Sequence, residues 1–238
     1  MALVQSSRSP EEQLKLLHQE GNRCHFPNFD MKVKEMNALP LIAGAVEILQ
    51  INLGKMCNQT CHHCHVDAGP HRKEIMSKEV LEQCLKILSK NEIATVDLTG
   101  GAPEMNPHFR WFVEEASELG VKVMVRCNLT IILAHEKYRE LPEFYRDHNV
   151  EVISSLPHYT KLRTDRQRGH GVFERSIEAL QMLNTVGYGK QRTDLKLNLV
   201  YNPGGAFFPG DQAGLEREFK RKLLADFGIE FNHLYCIT

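Results

Sequence analysis

The sequence predicts an α/β protein built on a parallel sheet that is either open or curled into a barrel. Strand-like and helix-like segments alternate about five and a half times between residues 46 and 234. The strand candidates are short runs rich in branched apolar residues, and the helix candidates repeat apolar residues at helical spacing. Because crossover helices connect parallel strands, this alternation favours a parallel sheet.

Each predicted element has its own local signals. Six strands are predicted, at residues 46–52, 93–98, 121–126, 150–154, 195–200 and 229–234. Five helices are predicted, at residues 77–90, 109–119, 135–148, 173–186 and 215–227. Ser77 can cap the first helix, and Pro142 interrupts the third. Gly120 and Gly187 end the second and fourth helices.

The ends of the chain differ from its middle. Residues 1–40 are polar and helix-prone, and we expect them to form an N-terminal helical extension to a core domain of residues 41–238. The chain ends directly after the sixth predicted strand. Because such a strand is normally followed by further chain, we expect that a C-terminal region is missing.

Composition and charge exclude several classes of protein. With 29 Lys and Arg against 30 Asp and Glu, the chain lacks the basic excess of a nucleic-acid binder. No apolar run approaches the length of a membrane span, and the first residues lack the order of a secretory signal. Seven cysteines, an odd number with three clustered, do not fit a disulfide-stapled secreted domain. We therefore expect a reducing, cytoplasmic compartment.

Glycine, cysteine and polar residues concentrate directly after the predicted strands. The segments that follow the first five strands read GKMC, TGGAPE, CNLT, SLPHY and YNPGG in chain order. In parallel α/β folds ligands bind at the carboxyl ends of the strands. The sequence therefore predicts an active site at this rim of the sheet.

The stretch CNQTCHHCH, residues 57–65, is the densest group of metal-binding residues. Cys57, Cys61 and Cys64 together with one histidine could hold a zinc ion, although zinc ligands normally come as two separated pairs. Three bunched thiolates suit a [4Fe–4S] cluster better, and they leave one iron open to bind a substrate. Both metal sites stay open at this point, and the spacing favours the cluster.

The C-x3-C-x2-C motif after the first strand and the Gly-Gly segment after the second resemble the radical S-adenosylmethionine (SAM) superfamily. The resemblance implies a partial (β/α)6 barrel in which Cys57, Cys61 and Cys64 hold a [4Fe–4S] cluster. It also implies that the open iron chelates SAM, and that one electron splits SAM into methionine and a 5′-deoxyadenosyl radical. An external one-electron donor such as flavodoxin or ferredoxin is then required.

The same resemblance implies a set of cofactor-binding residues. The matching positions are Gly100, Gly101, Glu104, Asn128, Ser155 and Arg168. The glycines correspond to a GGE-type segment whose backbone meets the methionine amino group, but here the segment reads GGAPE and the acid is Glu104. Ser155 matches a serine that contacts the ribose or carboxylate. Arg168 matches an arginine that pairs with the methionine carboxylate.

A finer resemblance is to the arsenosugar-biosynthesis radical SAM proteins. It rests on the segments LQINLGKMCNQTCHHCHVDAGPHR, DLTGGAPEMNPHFR, RCNLT, SSLPHY, QRGHGVF and LNLVYNPGGAFFP. It implies a transferase that adds the deoxyadenosyl group to methylated trivalent arsenic such as dimethylarsinous acid. Because trivalent arsenic favours thiolate, Cys127 is the predicted catalytic contact and Cys236 a further candidate. That family often has Cys where this chain has His158.

Two other functions stay open. The chain could be a radical SAM enzyme that acts on another substrate such as a peptide, although no recognition domain is visible in the sequence. It could also be a non-catalytic module that binds a metal such as zinc. We expect a small-molecule substrate and neither a nucleic acid nor a membrane as partner.

Overall fold

The computed structural model describes the following residues: 9, 11–12, 14–15, 28–62, 64–203 and 210–236. The chain divides into two compact units, Met1–Ala45 and Val46–Thr238. In the first unit, helix α1 (Phe29–Glu35) begins after Asn28, whose side-chain oxygen accepts hydrogen bonds from two backbone N–H groups of the first turn. The predicted boundary between residues 40 and 41 stays a prediction.

The second unit is built on one six-stranded parallel sheet. Its strands are β1 (Ile48–Asn52), β2 (Thr95–Thr99), β3 (Lys122–Cys127), β4 (Glu151–Ser155), β5 (Leu197–Tyr201) and β6 (His233–Cys236). Each strand pairs in parallel with the next one along the chain. In the described residues β1 and β6 form the two edges and do not pair with each other, so the sheet is not closed. The predicted partial (β/α)6 barrel is thereby confirmed.

Helices connect successive strands and cover the sheet. They are α2 (Lys78–Lys90), α3 (Phe109–Glu118), α4 (Leu141–Asp147), α5 (Lys161–Arg168), α6 (Val172–Thr185) and α7 (Gln212–Phe227). The buried apolar side chains of the helices, loops and strands form one core, whose large fully buried members include Phe109, Phe112, Tyr145, Tyr188 and Phe219. None of the helices in the described part of the chain is long and apolar enough to cross a membrane.

Three elements differ from the sequence prediction. The helix expected at 135–148 is a short 3-10 turn, Glu136–Tyr138, followed by α4. Pro142 lies in the first turn of α4, where a missing N–H costs nothing, so it marks a helix start and not an interruption. The sixth strand, expected at 229–234, begins later, because Ile229 and Phe231 fill the core from the loop before it.

Helix α5 was not predicted at all. Its sequence, KLRTDRQR, contains a single apolar residue, Leu162, and that side chain is 80% exposed. A helix without an apolar stripe has no periodic signal to detect. It is nevertheless important, because its last residue, Arg168, reaches the carboxyl ends of the strands.

Candidate active site

A cavity of about 520 Å³ lies at the carboxyl ends of the strands. The predicted site residues that line it are Cys57, Cys61, Cys64, Gly100, Gly101, Cys127, Asn128, Ser155 and Arg168. They come from the loops after β1, β2 and β3, from the last residues of β3 and β4, and from the end of α5. Residues as far apart in the chain as Cys57 and Arg168, which are separated by 111 positions, are thus brought to one place by the parallel sheet.

The loop that carries the three cysteines is held by backbone hydrogen bonds. The N–H of Cys57 donates to the Gly69 carbonyl over 3.2 Å, and the N–H of Cys64 donates to the Cys61 carbonyl over 3.2 Å. All three thiols are free. Two of the sulfurs already accept hydrogen bonds: Cys57 Sγ from Asn128 Nδ2, and Cys64 Sγ from the N–H of Ala68, both over 3.3 Å. Such N–H groups stabilise a ligating thiolate.

Burial and a neighbouring cation act on the cysteine thiols in opposite directions. Burial raises the pKa of Cys57 and of Cys61 above the ordinary thiol value. The positive charge of Arg168 lowers the pKa of both thiols and offsets part of that rise. Metal ligation would remove the thiol proton outright, so the raised pKa values are compatible with the predicted role of these cysteines as ligands.

The spacing of the ligands bears on the choice between zinc and a cluster. Among the described residues, which leave out His63, no three His, Cys, Asp or Glu side chains converge to hold a single metal ion. A zinc site needs four ligands around one ion. The thiolates of an iron–sulfur cluster bind different iron atoms and do not need to converge. The two kinds of site thus differ in whether their ligands must meet at one ion.

Gly100 and Gly101 let the segment after β2 lie directly against the cysteine loop. A Cβ on Gly101 would be 2.5 Å from the Met56 carbonyl oxygen, and one on Gly100 would be 2.6 Å from that of Gly54. Gly100 also has a φ of +142°, which side-chain-bearing residues rarely adopt. The N–H of Gly101 donates to the Gly54 carbonyl over 3.0 Å. Glycine here keeps both loops in contact and leaves their backbone facing the cavity.

Gln59 is a buried member of the site that sequence analysis missed. Its Nε2 donates to Thr130 Oγ1 over 2.5 Å. Its Oε1 accepts from the thiol of Cys61 over 3.2 Å and from Arg168 Nη2 over 3.0 Å. Gln59 lies between Cys57 and Cys61, at a position where the C-x3-C-x2-C motif specifies no residue type. No local pattern in the sequence therefore identifies this glutamine as part of the site.

Arg168 and Ser155 meet at the edge of the cavity. The guanidinium of Arg168 is 7% exposed, and its Nη1 donates to the backbone carbonyl of Ser155 over 3.3 Å. Its Nε is buried and has no hydrogen-bond partner in the described residues. Both residues lie where the sequence predicted them, and their roles toward a cofactor stay predictions.

Glu104 does not reach the cavity, in contrast to the expectation for a cofactor-binding residue. It lies in a 3-10 turn, Pro103–Met105, and is buried. Its Oε1 accepts a hydrogen bond from the hydroxyl of Tyr145 over 2.7 Å, and burial raises the pKa of the carboxyl. Glu104 is three residues after Gly101, whereas the acid of a GGE segment follows the second glycine directly. The 3-10 turn directs the Glu104 side chain into the core. Its contacts do not support the predicted role.

Cys127 lines the cavity from the end of β3 but is only 1% exposed. Burial raises its pKa well above the ordinary thiol value, and the charge of Glu104 adds to the rise. The sequence led us to expect a thiolate that binds arsenic. The surroundings instead keep Cys127 as a neutral thiol.

Two further candidates lie apart from the cavity. His158 is buried against α5, where its Nδ1 accepts from the backbone N–H of Thr160 over 3.1 Å. Cys236 is partly buried at the end of β6 and is not among the residues that line the cavity. Three predicted rim or motif residues, His63, Gly204 and Gly205, lie outside the described residues.

Polar side chains extend the cavity below the rim. Arg126 and Gln50 line it, and both bind the buried carboxylate of Asp97. Arg126 Nε and Nη2 each approach an oxygen of Asp97 to 2.9 Å, and Gln50 Nε2 donates to the same carboxylate over 2.8 Å. This fork-to-carboxylate pair holds Arg126 in a fixed orientation.

The sequence is similar to those of two known proteins. A probable GTP 3′,8-cyclase of Saccharolobus islandicus is 26% identical over 158 residues, which are 66% of this chain and 48% of that protein. The mycofactocin maturase MftC of Mycobacterium tuberculosis is 28% identical over 132 residues, 56% of this chain and 33% of that protein. The chain thus spans less than half the length of these relatives.

The fold has a counterpart among solved structures, and a family model matches the sequence. Streptococcus suis SuiB bound to S-adenosylmethionine has a TM-score of 0.58 and 15% identity, over 91% of this chain and 49% of that one. A likeness at that identity concerns the fold alone. The sequence model of the Radical SAM superfamily matches residues 51–204, more than half of the chain. The chain therefore belongs to the radical SAM superfamily, whose enzymes use a [4Fe–4S] cluster and SAM.

Proposed function

We propose that this chain is a radical SAM enzyme that adds the 5′-deoxyadenosyl group to methylated trivalent arsenic. The observation that carries the radical SAM part is that three free cysteines of one loop face a single cavity. Residues from four strand ends complete that cavity. The arsenic part rests on the resemblance of the motif segments and on the thiol of Cys127 in the same cavity.

The residues of the cavity fit the two cofactors. The cysteine thiols supply three ligands for a [4Fe–4S] cluster and leave one iron for SAM. The unpartnered Nε of Arg168 can bind an anionic group, and the backbone at Gly100 and Gly101 is open to close approach. Cys57, Cys61 and Cys64 would hold the cluster, and Gly100, Gly101, Asn128, Ser155 and Arg168 would contact SAM.

When bound, the cluster and SAM supply a deoxyadenosyl radical. The protein's own tasks are to orient SAM, to exclude water and to hold the second substrate. Asn128 keeps its amide on Cys57, and the paired glycines keep the cysteine loop against the segment after β2. A cavity walled by buried side chains limits the access of stray hydrogen donors.

Cys127 is the residue we propose to hold arsenic. A neutral thiol condenses with an arsinous acid: the As–OH bond breaks, an As–S bond forms, and the thiol proton leaves with the hydroxide as water. This reaction does not require a thiolate at the start, so the raised pKa of Cys127 is compatible with it. Soft sulfur ligands suit soft acceptors such as trivalent arsenic.

Cleavage of SAM needs one electron from an external carrier such as flavodoxin or ferredoxin. The arsenic adduct gives one electron back to the carrier when the closed-shell product forms, and water then breaks the As–S bond, leaving oxygen on arsenic and restoring the thiol of Cys127. We propose that the reaction takes place in a reducing, cytoplasmic compartment. The six cysteines of the described residues are all free, which fits such a compartment.

A second candidate function is modification of a peptide. It is favoured by the similarity to MftC, which is named a mycofactocin maturase, and by the likeness of the fold to SuiB, which has been crystallised with its precursor peptide SuiA. A peptide substrate would have to enter the same cavity. The two functions then differ in whether the thiol of Cys127 is needed for substrate binding.

The test is an anaerobic reaction followed by mass spectrometry. The chain is reconstituted with iron and sulfide, reduced, and given SAM with or without dimethylarsinous acid. A deoxyadenosyl–dimethylarsenic product that is lost in Cys61→Ala supports the proposal in full. Cys127→Ser should retain the cleavage of SAM and lose the arsenic product.

Other outcomes would reject one part of the proposal or the whole of it. Deoxyadenosine without an arsenic product would keep the radical SAM chemistry and reject the arsenic substrate. Zinc binding without cleavage of SAM would reject both and support a metal-binding module. Retention of the arsenic product in Cys127→Ser would reject the role of that thiol.

A further inference from the structure

Arg168 is a buried cation for which the described residues contain no ion-pair partner. Its side chain is 7% exposed, and no Asp or Glu of the described chain lies within ion-pair distance of it. Its contacts are two neutral oxygens, Gln59 Oε1 and the Ser155 carbonyl. Its Nε has no partner in the same residues. Because burial of an unpaired charge is strongly unfavourable, an anion is expected beside it.

The cysteine loop is the nearest place for that anion. Gln59 Oε1 accepts a hydrogen bond from Arg168 Nη2 over 3.0 Å and from Cys61 Sγ over 3.2 Å. The guanidinium of Arg168 and the sulfur of Cys61 therefore contact the same oxygen atom, Gln59 Oε1. The loop is also tied to α5 directly, because the N–H of His62 donates to the Gln167 carbonyl over 3.2 Å. Negative charge on the cysteine sulfurs would therefore interact directly with the guanidinium of Arg168.

We propose that Arg168 is the counter-charge of the cluster itself, in place before SAM binds. The inference rests on the proposed function, because it assumes that Cys57, Cys61 and Cys64 carry a [4Fe–4S] cluster. A fixed positive charge favours the more negative, reduced state of the cluster and raises its reduction potential. Gln59 is the positioning residue, since its Oε1 accepts a hydrogen bond from Arg168 Nη2 that does not depend on the thiol proton of Cys61.

This role differs from pairing with the methionine carboxylate, which the family resemblance implies. A carboxylate partner arrives only with SAM, whereas a counter-charge acts on the cluster alone. The two roles are therefore separated by measurements made without SAM.

The experiment compares reduction potentials of reconstituted proteins in the absence of SAM. The wild type, Arg168→Lys and Arg168→Gln are titrated anaerobically and followed by electron paramagnetic resonance, with iron and sulfide content measured on each sample. We expect a lower midpoint potential in Arg168→Gln and a potential near that of the wild type in Arg168→Lys. Arg166→Gln, an exposed residue of the same helix, is the matched control and should leave the potential unchanged.

A second variant protects the test against misfolding. Gln59→Glu keeps Arg168 but gives it a carboxylate partner, which should neutralise its effect and also lower the potential. The proposal is overturned if Arg168→Gln assembles a four-iron cluster with an unchanged potential, and, where that variant does not assemble the cluster, if Gln59→Glu leaves the potential unchanged. Arg168→Gln with an unchanged potential and a weaker Kd for SAM would assign Arg168 to the methionine carboxylate instead. Failure of the wild type to assemble a four-iron cluster would reject the proposed function and this inference with it.

Discussion

The side chain of Asn128 joins the end of β3 to the cysteine loop. Its Nδ2 donates to Cys57 Sγ over 3.3 Å and to Asn58 Oδ1 over 2.8 Å. Its Oδ1 accepts from the N–H of Ile131 over 3.0 Å. A single amide therefore orders the 3-10 turn Thr130–Leu133 and, at the same time, directs an N–H group at a predicted iron ligand.

Replacement of Asn128 should weaken both the fold and the metal site. Asn128→Ala removes the hydrogen-bond partner of the buried N–H of Ile131 and of the part-buried Oδ1 of Asn58. The free energy of unfolding should therefore fall by about 1–3 kcal/mol. Urea denaturation of the metal-free protein measures this. Iron retained per chain after gel filtration should fall as well, because Cys57 loses its donor.

Asn128→Asp separates the two effects. It keeps an oxygen for the N–H of Ile131 and removes the donor that faces Cys57. We expect iron retention to fall as in Asn128→Ala. Wild-type iron retention in Asn128→Asp would show that the hydrogen bond to sulfur has no role in holding the metal.

Gly101→Ala should disturb the cysteine loop, because the new methyl group would meet the Met56 carbonyl oxygen at 2.5 Å. Overpacking of this kind costs about 1–3 kcal/mol and here shifts the backbone next to Cys57. We expect a lower urea midpoint and a lower iron content. Gly210→Ala, where nothing lies within 4 Å of the added carbon, is the matched control and should behave as the wild type. A Gly101→Ala protein with the wild-type iron content would show that close contact between Gly101 and the Met56 carbonyl is not needed for metal binding.

The pair Arg126–Asp97 should be needed for stability of the cavity floor. Asp97 is 2% exposed, so Arg126→Met leaves a buried carboxylate with Gln50 as its one remaining side-chain donor among the described residues. The free energy of unfolding should fall by about 1–3 kcal/mol or more. Denaturation of Arg126→Met, Asp97→Asn and the double variant gives the coupling between the residues. Additive losses would mean that the two side chains do not interact.

His158 should make stability depend on pH. Burial, and to a smaller extent the positive charge of Arg163, lowers its pKa from 6.5 to about 4. The unfolded chain takes up this proton below pH 6.5, whereas the folded chain resists it down to about pH 4. The stability contributed by neutral His158 is therefore present above pH 6.5 and is lost as the pH falls toward 4.

The variant His158→Gln cannot take up that proton and should lose less stability between pH 7 and pH 5. Urea midpoints at several pH values measure the difference in slope. His71→Gln, the same change at an exposed histidine, is the control and should retain the wild-type slope. Equal slopes in the wild type and His158→Gln would show that His158 does not resist protonation in the folded state.

Much of the site could be predicted because its signals are local. The three cysteines lie in nine consecutive residues, and the paired glycines follow directly after a strand of branched apolar residues. Asn128 and Ser155 also follow strand ends, which a parallel sheet gathers at one edge. Helix α5 was not predicted because it has almost no apolar periodicity. The direction of the Glu104 side chain was not predicted because it depends on the short turn that contains this residue.

The sequence by itself determined the order of strands and helices, the parallel sheet and the cysteine motif, because apolar periodicity and residue spacing are properties of neighbouring residues. Only the tertiary structure decided which polar groups meet. The contact between Gln59 and Arg168 joins residues 109 positions apart, and that between Asn128 and Cys57 joins residues 71 apart. Such pairs depend on how loops and helix ends close over the sheet, and no local pattern encodes that closure.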